Sequence, residues 1–231
     1  MGEIKGVLFD SGDTLVRPIA GSWWPKQPLI DAFEAHEIGG ADMSRFDEAV
    51  TLGIRYLDDN HCLTTEEEER EQFRTAYTIL IETLGVKSPT EDLLADILRP
   101  FEEGTGMEPF EDTRRVLEDI SLRGLKLGIV SDNWPSLDRR YRQFGLRHYF
   151  DAFVISAVLG CWKPSEPMYA TAVEEIGLPP ESLMFVDDRL ENVEAAVRLG
   201  MRGVVISRYG ETPETDLPVV RSLDEVVQMI G

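Results

Sequence analysis

A chain of 231 residues, 42% apolar and 29% charged, has the balance of a globular protein and the length for one large or two modest domains. Its 43 acidic against 23 basic residues leave a net charge of −20, a field that repels nucleic acid and anionic lipid, so neither is expected as a partner. The opening MGEIKG lacks the apolar segment of a signal peptide and no run of about 18 apolar residues offers a membrane span, so a cytoplasmic location is the expectation; the oligomeric state is expected to be monomer or homodimer.

Residues 4–10 read as a short strand of a sheet buried on both faces. The strand ends on Asp10 and runs into a turn of Ser11, Gly12 and Asp13. From about residue 18 to 107 the pattern is helical. Ser44, ahead of Arg45, Phe46 and Asp47, is expected to cap one helix. Thr64 with Glu67 three residues on has the form of a capping box for the next, in which Phe73, Tyr77, Leu80 and Leu84 recur at helical spacing. Ser88, Pro89, Thr90 and Glu91 mark a third start, with Pro89 at the first helical position. The acidic run Glu66, Glu67, Glu68 and Glu69 is a solvated first turn favoured by the helix dipole.

After residue 108 helices and strands alternate. Val116, Leu117 and Ile120 mark one face of a helix that stops at Gly124, and residues 125–132, LKLGIVSD, read as a strand ending in polar residues. A helix near 137–144, a strand over 153–156 and the loop GCWKPSEP follow. Then come a helix over 168–176 and a strand over 182–187 ending in Asp187 and Asp188. A helix to Gly200, a strand over 203–207 and a capping box from Ser222 to Glu225 complete the chain. Such repetition predicts an α/β fold with a mainly parallel sheet covered by helices. A lone first strand has to join that sheet, so residues 1–17 and 108–231 are expected to form the core and 18–107 a helical insertion. Cys62 and Cys161 are expected as free thiols, and His36, His61 and His148 are too scattered for a metal site.

The polar strand ends share one chemistry. In open α/β sheets ligands bind at the carboxyl ends of strands, where this chain has Asp10, Ser131 with Asp132, and Asp187 with Asp188, and where the preceding loop adds Lys163. Carboxylates gathered there repel one another unless a cation lies between them, and Mg2+ suits an all-oxygen set that also meets a phosphate. A carboxylate not consumed by the metal can attack phosphorus, while Ser131, the backbone at Asp132 and the Lys163 ammonium hold phosphoryl oxygens.

The succession FDSGDTL, IVSDNW, GCWKPSEPMY and MFVDDRLEN resembles the four motifs of the haloacid dehalogenase-like (HAD) hydrolase superfamily, across the whole chain. The resemblance implies a Rossmann-like sheet and a C1 cap formed by the helical insertion. It implies Asp10 as nucleophile, Ser131 as phosphate ligand, and Lys163 as the cation that steadies phosphate and nucleophile. Magnesium would be bound by Asp10, the Gly12 carbonyl and Asp188, with Asp187 beside them and Asn192 supporting the ligands. The sequence looks most like sugar-phosphate phosphatases and the phosphatase half of soluble epoxide hydrolases, which implies a small phosphorylated metabolite as substrate.

One position departs from that pattern. Family phosphatases usually carry an aspartate two residues after the nucleophile, as general acid and base, where this chain has Gly12; Asp13 stands where the family usually has glycine. As a turn residue Asp13 would point its side chain elsewhere; as a substitute acid it would need to reach the leaving oxygen. Three alternatives to a phosphatase remain. A 2-haloacid dehalogenase needs no metal and lacks the paired carboxylates of DDRLEN, a phosphomutase depends on the missing aspartate, and a catalytically silent binding protein would tolerate its loss. Trp23, Trp24 and Trp134 are expected either along a pocket or in packing.

Overall fold

The structure is a computed structural model that describes residues 2–210 and 212–230. It divides into two compact units, one of Met1–Arg17 with Glu108–Gly231 and the other of Pro18–Met107. In the first, strands β1 (Gly6–Phe9), β4 (Lys126–Ser131), β5 (Ala152–Ile155), β6 (Leu183–Asp187), β7 (Arg202–Ile206) and β8 (Val219–Val220) form one sheet in the order β5-β4-β1-β6-β7-β8. Every pairing is parallel. Strands β2 (Val16–Pro18) and β3 (Met107–Pro109) pair in a separate ribbon formed by the two connections between the units.

The α/β class and the parallel sheet agree with the sequence pattern. All four residues of β1 are buried, as befits a strand with a neighbour on each side and helices on each face. Phe9 is in register with Ile129 on β4 and Val186 on β6. One step further, Asp10 leaves the sheet beside Asp187, its amide donating to the Val186 carbonyl at 2.9 Å. Parallel register therefore delivers the polar ends of β1, β4 and β6 to one edge.

Helices α5 (Thr113–Leu122), α6 (Leu137–Gln143), α7 (Ser156–Leu159), α8 (Glu166–Ile176), α9 (Leu190–Arg198) and α10 (Leu223–Ile230) accompany this sheet. Leu8, Val130 and Phe185 of the sheet share a buried cluster with Met168, Tyr169 and Ala172 of α8 and Val193 and Ala196 of α9. At Gly203 a Cβ would stand 2.5 Å from Val193 Cγ1 and 2.6 Å from Val197 Cγ2, so glycine is what lets α9 lie this close to β7.

The second unit contains α1 (Lys26–Ala35), α2 (Phe46–Asp59), α3 (Glu66–Thr83) and α4 (Glu91–Glu103) around Leu29, Phe33, Phe46, Ala49, Leu80, Ile81, Leu93 and Leu94. The helix starts differ from the sequence reading in register. Asp42, not Ser44, accepts from the Ser44 amide, and the turn it caps precedes α2. The capping box joins Thr65 to Glu68 rather than Thr64 to Glu67, because Thr65 takes the extended N-cap conformation, and of the acidic run expected in a solvated turn Glu69 is instead buried on the inner face of α3. Thr90 caps α4, which leaves Pro89 outside the helix. Helix α1 escapes the sequence reading because Pro25 at its start offers no side-chain cap.

Candidate active site

The sheet edge at the ends of β1, β4 and β6 concentrates charge. Lys163 Nζ donates to Asp10 Oδ1 at 2.6 Å and to Asp187 Oδ2 at 2.7 Å, with its side chain only 1% exposed. The Lys163 backbone amide donates to Asp132 Oδ1 at 2.8 Å, which ties the loop between α7 and α8 to the end of β4. Burial opposes the Lys163 charge, but the Asp10, Asp187 and Asp132 carboxylates outweigh burial and raise its pKa. The ammonium is fixed.

One lysine does not balance the carboxylates around it. Ligand oxygens of Asp10, Asp187 and Asp188 lie within 4.8 Å of one another, the one grouping of this kind among the described residues. Burial pushes Asp10 up to about 7; Lys163 works against that rise and Asp187 adds to it. Asp188, exposed at the rim of this edge, is pushed up to about 8, first by partial desolvation and then by the Asp10, Asp187 and Asp13 charges. Burial likewise raises Asp132, against the pull of Lys163. Carboxylates this close, with an all-oxygen donor set, fit a hard divalent cation and fit a soft one poorly.

The surroundings hold Asp187 in place. Its Oδ1 accepts from the Arg189 amide at 2.8 Å, and both its oxygens lie within 3.2 Å of Asn192 Nδ2. Tyr169 Oη donates to the Asn192 carbonyl at 2.9 Å, so α8 and α9 both brace this carboxylate. Ser131 sits buried at the end of β4. Gly12 lies in the turn after β1, bridged to Val16.

Asp13 adopts φ +53°, a left-handed conformation, and its Oδ1 accepts from Tyr209 Oη at 3.1 Å. Its charge is among those that raise Asp188, although it is not part of the Asp10, Asp187 and Asp188 grouping. Sequence reasoning missed Tyr209 and Arg208, which follow β7; position after the carboxyl end of a strand was the one signal they carried. It also missed Tyr141, whose hydroxyl is 2.9 Å from Ser11 Oγ.

Other conspicuous residues have packing roles. The Trp24 ring lies 5.4 Å from that of Tyr77 and, half-buried, packs against the core of the helical unit. Trp134 meets Trp162 edge to face at 6.3 Å. His36 pairs with Asp96 at 2.6 Å. Both cysteines are free. No helix among the described residues is long and apolar enough to cross a membrane.

A model of the haloacid dehalogenase-like hydrolases matches residues 4–200. Glyceraldehyde 3-phosphate phosphatase of Methanopyrus kandleri (strain AV19) is 26% identical over 213 residues, 89% of this chain and 84% of that protein. Haloacetate dehalogenase H-2 of Moraxella sp. (strain B) is also 26% identical, over 240 residues and 100% of both chains. A solved dehalogenase structure superposes with a TM-score of 0.70 at 18% identity, covering 99% of this chain and 98% of that one, which is a likeness of fold. Equal identity to a phosphatase and a dehalogenase leaves the choice of reaction to the side chains.

Proposed function

This chain belongs to the haloacid dehalogenase-like hydrolases, and from the charge of its site we propose a magnesium-dependent phosphatase that hydrolyses a small phosphorylated metabolite through an aspartyl phosphate. The observation that carries the proposal is the set of three carboxylates, Asp10, Asp187 and Asp188, within 4.8 Å and served by one lysine. A metal-free dehalogenase has no use for a third carboxylate beside Asp10 and Asp187, whereas a divalent cation would displace the protons that Asp10 and Asp188 otherwise retain and make use of all three.

Asp10, Asp188 and the Gly12 carbonyl would hold the cation, with Asp187 alongside. Magnesium bound there supplies positive charge against the carboxylates and the phosphoryl oxygens. Lys163, donating to Asp10 Oδ1, orients the nucleophile so that its other oxygen faces the substrate. That oxygen attacks phosphorus while the bond to the leaving oxygen breaks and its electron pair stays with the leaving group. Ser131 and the backbone at Asp132 hold the transferring oxygens together with Lys163. Water then attacks phosphorus, and Asp10 leaves as carboxylate. Asn192 and Tyr169 keep Asp187 from swinging away. We read the helical unit, Pro18–Met107, as the C1 cap in which specificity for the metabolite resides.

Release of phosphate from p-nitrophenyl phosphate, with magnesium, with excess chelator, and with magnesium restored, tests the proposal. Activity should vanish on chelation and return with the metal. Undiminished activity in chelator, or hydrolysis of 2-chloropropionate in its place, would favour the dehalogenase reading.

A further inference from the structure

The turn that carries Asp10, Gly12 and Asp13 has little regular structure of its own, yet it is gripped from outside the three strand ends discussed above. Arg208, two residues past β7, donates from Nε and Nη2 to the Thr14 carbonyl at 3.2 and 2.7 Å. The same guanidinium forms a fork on Asp112, Nη1 to Oδ2 at 2.7 Å and Nη2 to Oδ1 at 3.1 Å. Its side chain is 6% exposed, and its Cζ lies over the Phe110 ring, 4.1 Å from the centroid. Asp112 is anchored in turn by the Leu223 amide at 2.9 Å. A buried, bidentate and stacked arginine is rigid in a way that a surface arginine is not.

Next in sequence, Tyr209 takes hold of the turn a second time. Its hydroxyl donates to Asp13 Oδ1, while its ring packs 6.4 Å from Phe110. Asp13 adopts a left-handed backbone, which aspartate tolerates better than most residues with a Cβ, and the Tyr209 hydroxyl fixes its side chain there. Within the turn, the Leu15 and Val16 amides donate to the Ser11 carbonyl at 2.8 and 3.0 Å, and the Asp13 amide to the Val16 carbonyl at 2.8 Å. Thr113 Oγ1 and the Phe110 amide both donate to the Leu15 carbonyl, at 2.7 and 3.1 Å. Residues 108–113 and the loop after β7 thus meet on the carbonyls of Thr14 and Leu15.

We propose that Arg208 and Tyr209 are positioning residues of this active site: they hold the turn of residues 11–15 in the conformation that keeps Asp10 and the Gly12 carbonyl at the acidic cluster and fixes the Asp13 carboxylate. The proposal rests on Asp10 and Gly12 serving the reaction described above. Arg208 touches no reacting atom; it acts through Thr14, and Tyr209 acts through Asp13.

Hydrogen exchange of the Asp13, Leu15 and Val16 amides in wild type, Arg208→Met, Arg208→Lys and Tyr209→Phe is the direct test, with magnesium titration and p-nitrophenyl phosphate kinetics alongside. In Arg208→Met those amides should exchange faster while β6 keeps its protection. Magnesium affinity should fall by about 10- to 100-fold, the usual effect of removing a partner that orients a ligand. A misplaced nucleophile should lower kcat by about 100-fold, with KM within about twofold of wild type. Arg208→Lys should recover only part of each effect, since an ammonium cannot serve Thr14 and Asp112 as a fork. If Arg208→Met does not fold, Tyr209→Phe, which loses one hydroxyl from a ring 69% exposed, carries the test through faster exchange at Asp13. Wild-type exchange across residues 13–16 in the variants that fold overturns the proposal. A wild-type protein that neither binds magnesium nor hydrolyses the ester overturns the phosphatase reading instead, and exchange still decides the positioning role.

Discussion

The two units bury polar side chains in contrasting ways. In the helical unit Gln72, 4% exposed, donates from Nε2 to the Leu57 and Asn60 carbonyls at 3.2 and 2.7 Å, a neutral amide serving the end of α2. At the sheet edge of the other unit, Lys163 and several carboxylates are brought together with negative charge in excess. The helical unit also buries the Glu69 carboxylate, 1% exposed, so the contrast lies in clustering: single polar groups built into helix packing serve architecture, whereas several carboxylates gathered around one lysine are tolerated where a ligand completes them.

Asp10→Asn should draw that contrast most sharply. The amide keeps the shape of the side chain but cannot attack phosphorus, so turnover should fall to background while the melting curve stays cooperative. Hydrolysis of p-nitrophenyl phosphate by this variant at near the wild-type rate would remove Asp10 from the mechanism.

The next largest effect concerns the leaving group. Gly12 provides no carboxyl, and general acid help is worth about 100- to 10,000-fold, so an aryl phosphate with a good leaving group should be cleaved far faster than a hexose phosphate. If Asp13 supplies the proton, the gap narrows, and Asp13→Asn reopens it for the hexose ester alone. Rates for both esters in wild type, Asp13→Asn and Gly12→Asp discriminate these outcomes; fast hexose phosphate cleavage indifferent to Asp13→Asn would place the donor elsewhere.

Charge excess also predicts how stability follows pH. Burial and mutual repulsion raise Asp10 and Asp188 above their ordinary range, so between about pH 4 and 8 the folded protein retains protons that the unfolded chain has released. Without a divalent cation, stability should therefore decline as pH rises through that window. Magnesium, competing with those protons, should raise the melting temperature more at pH 8 than at pH 5. A magnesium shift independent of pH would mean that the cation binds away from these carboxylates.

The smallest effect belongs to the helical unit. Gln72→Ala strips donors from two carbonyls and should cost about 1–3 kcal/mol of stability. Denaturant titration measures that loss, and p-nitrophenyl phosphate turnover below the transition should be unchanged. A large loss of kcat in Gln72→Ala would blur the distinction between the two kinds of burial.

Much of this architecture was legible before any coordinates. Apolar runs that stop on carboxylates identify β1, β4 and β6, because a strand buried on both faces cannot hide a charge along its length, only at its end. The same reading brought Asp10, Lys163, Asp187 and Asp188 into one hypothesis, since like charges at neighbouring strand ends call for a cation. Helix starts were less legible. Thr64 and Thr65 are adjacent, each has a glutamate three residues later, and only backbone conformation selects Thr65.

By itself, the sequence determined the α/β class and offered a helical insertion and a candidate nucleophile, because local pattern and residue chemistry specify such features. Tertiary structure alone decided that β1 lies between β4 and β6, that Asn192 and Tyr169 brace Asp187, and that Arg208 and Tyr209 reach the turn after β1. These are contacts between segments as much as 196 residues apart, formed when a parallel sheet brings its strand ends to one edge, and so distant a pairing leaves no periodicity or motif along the chain.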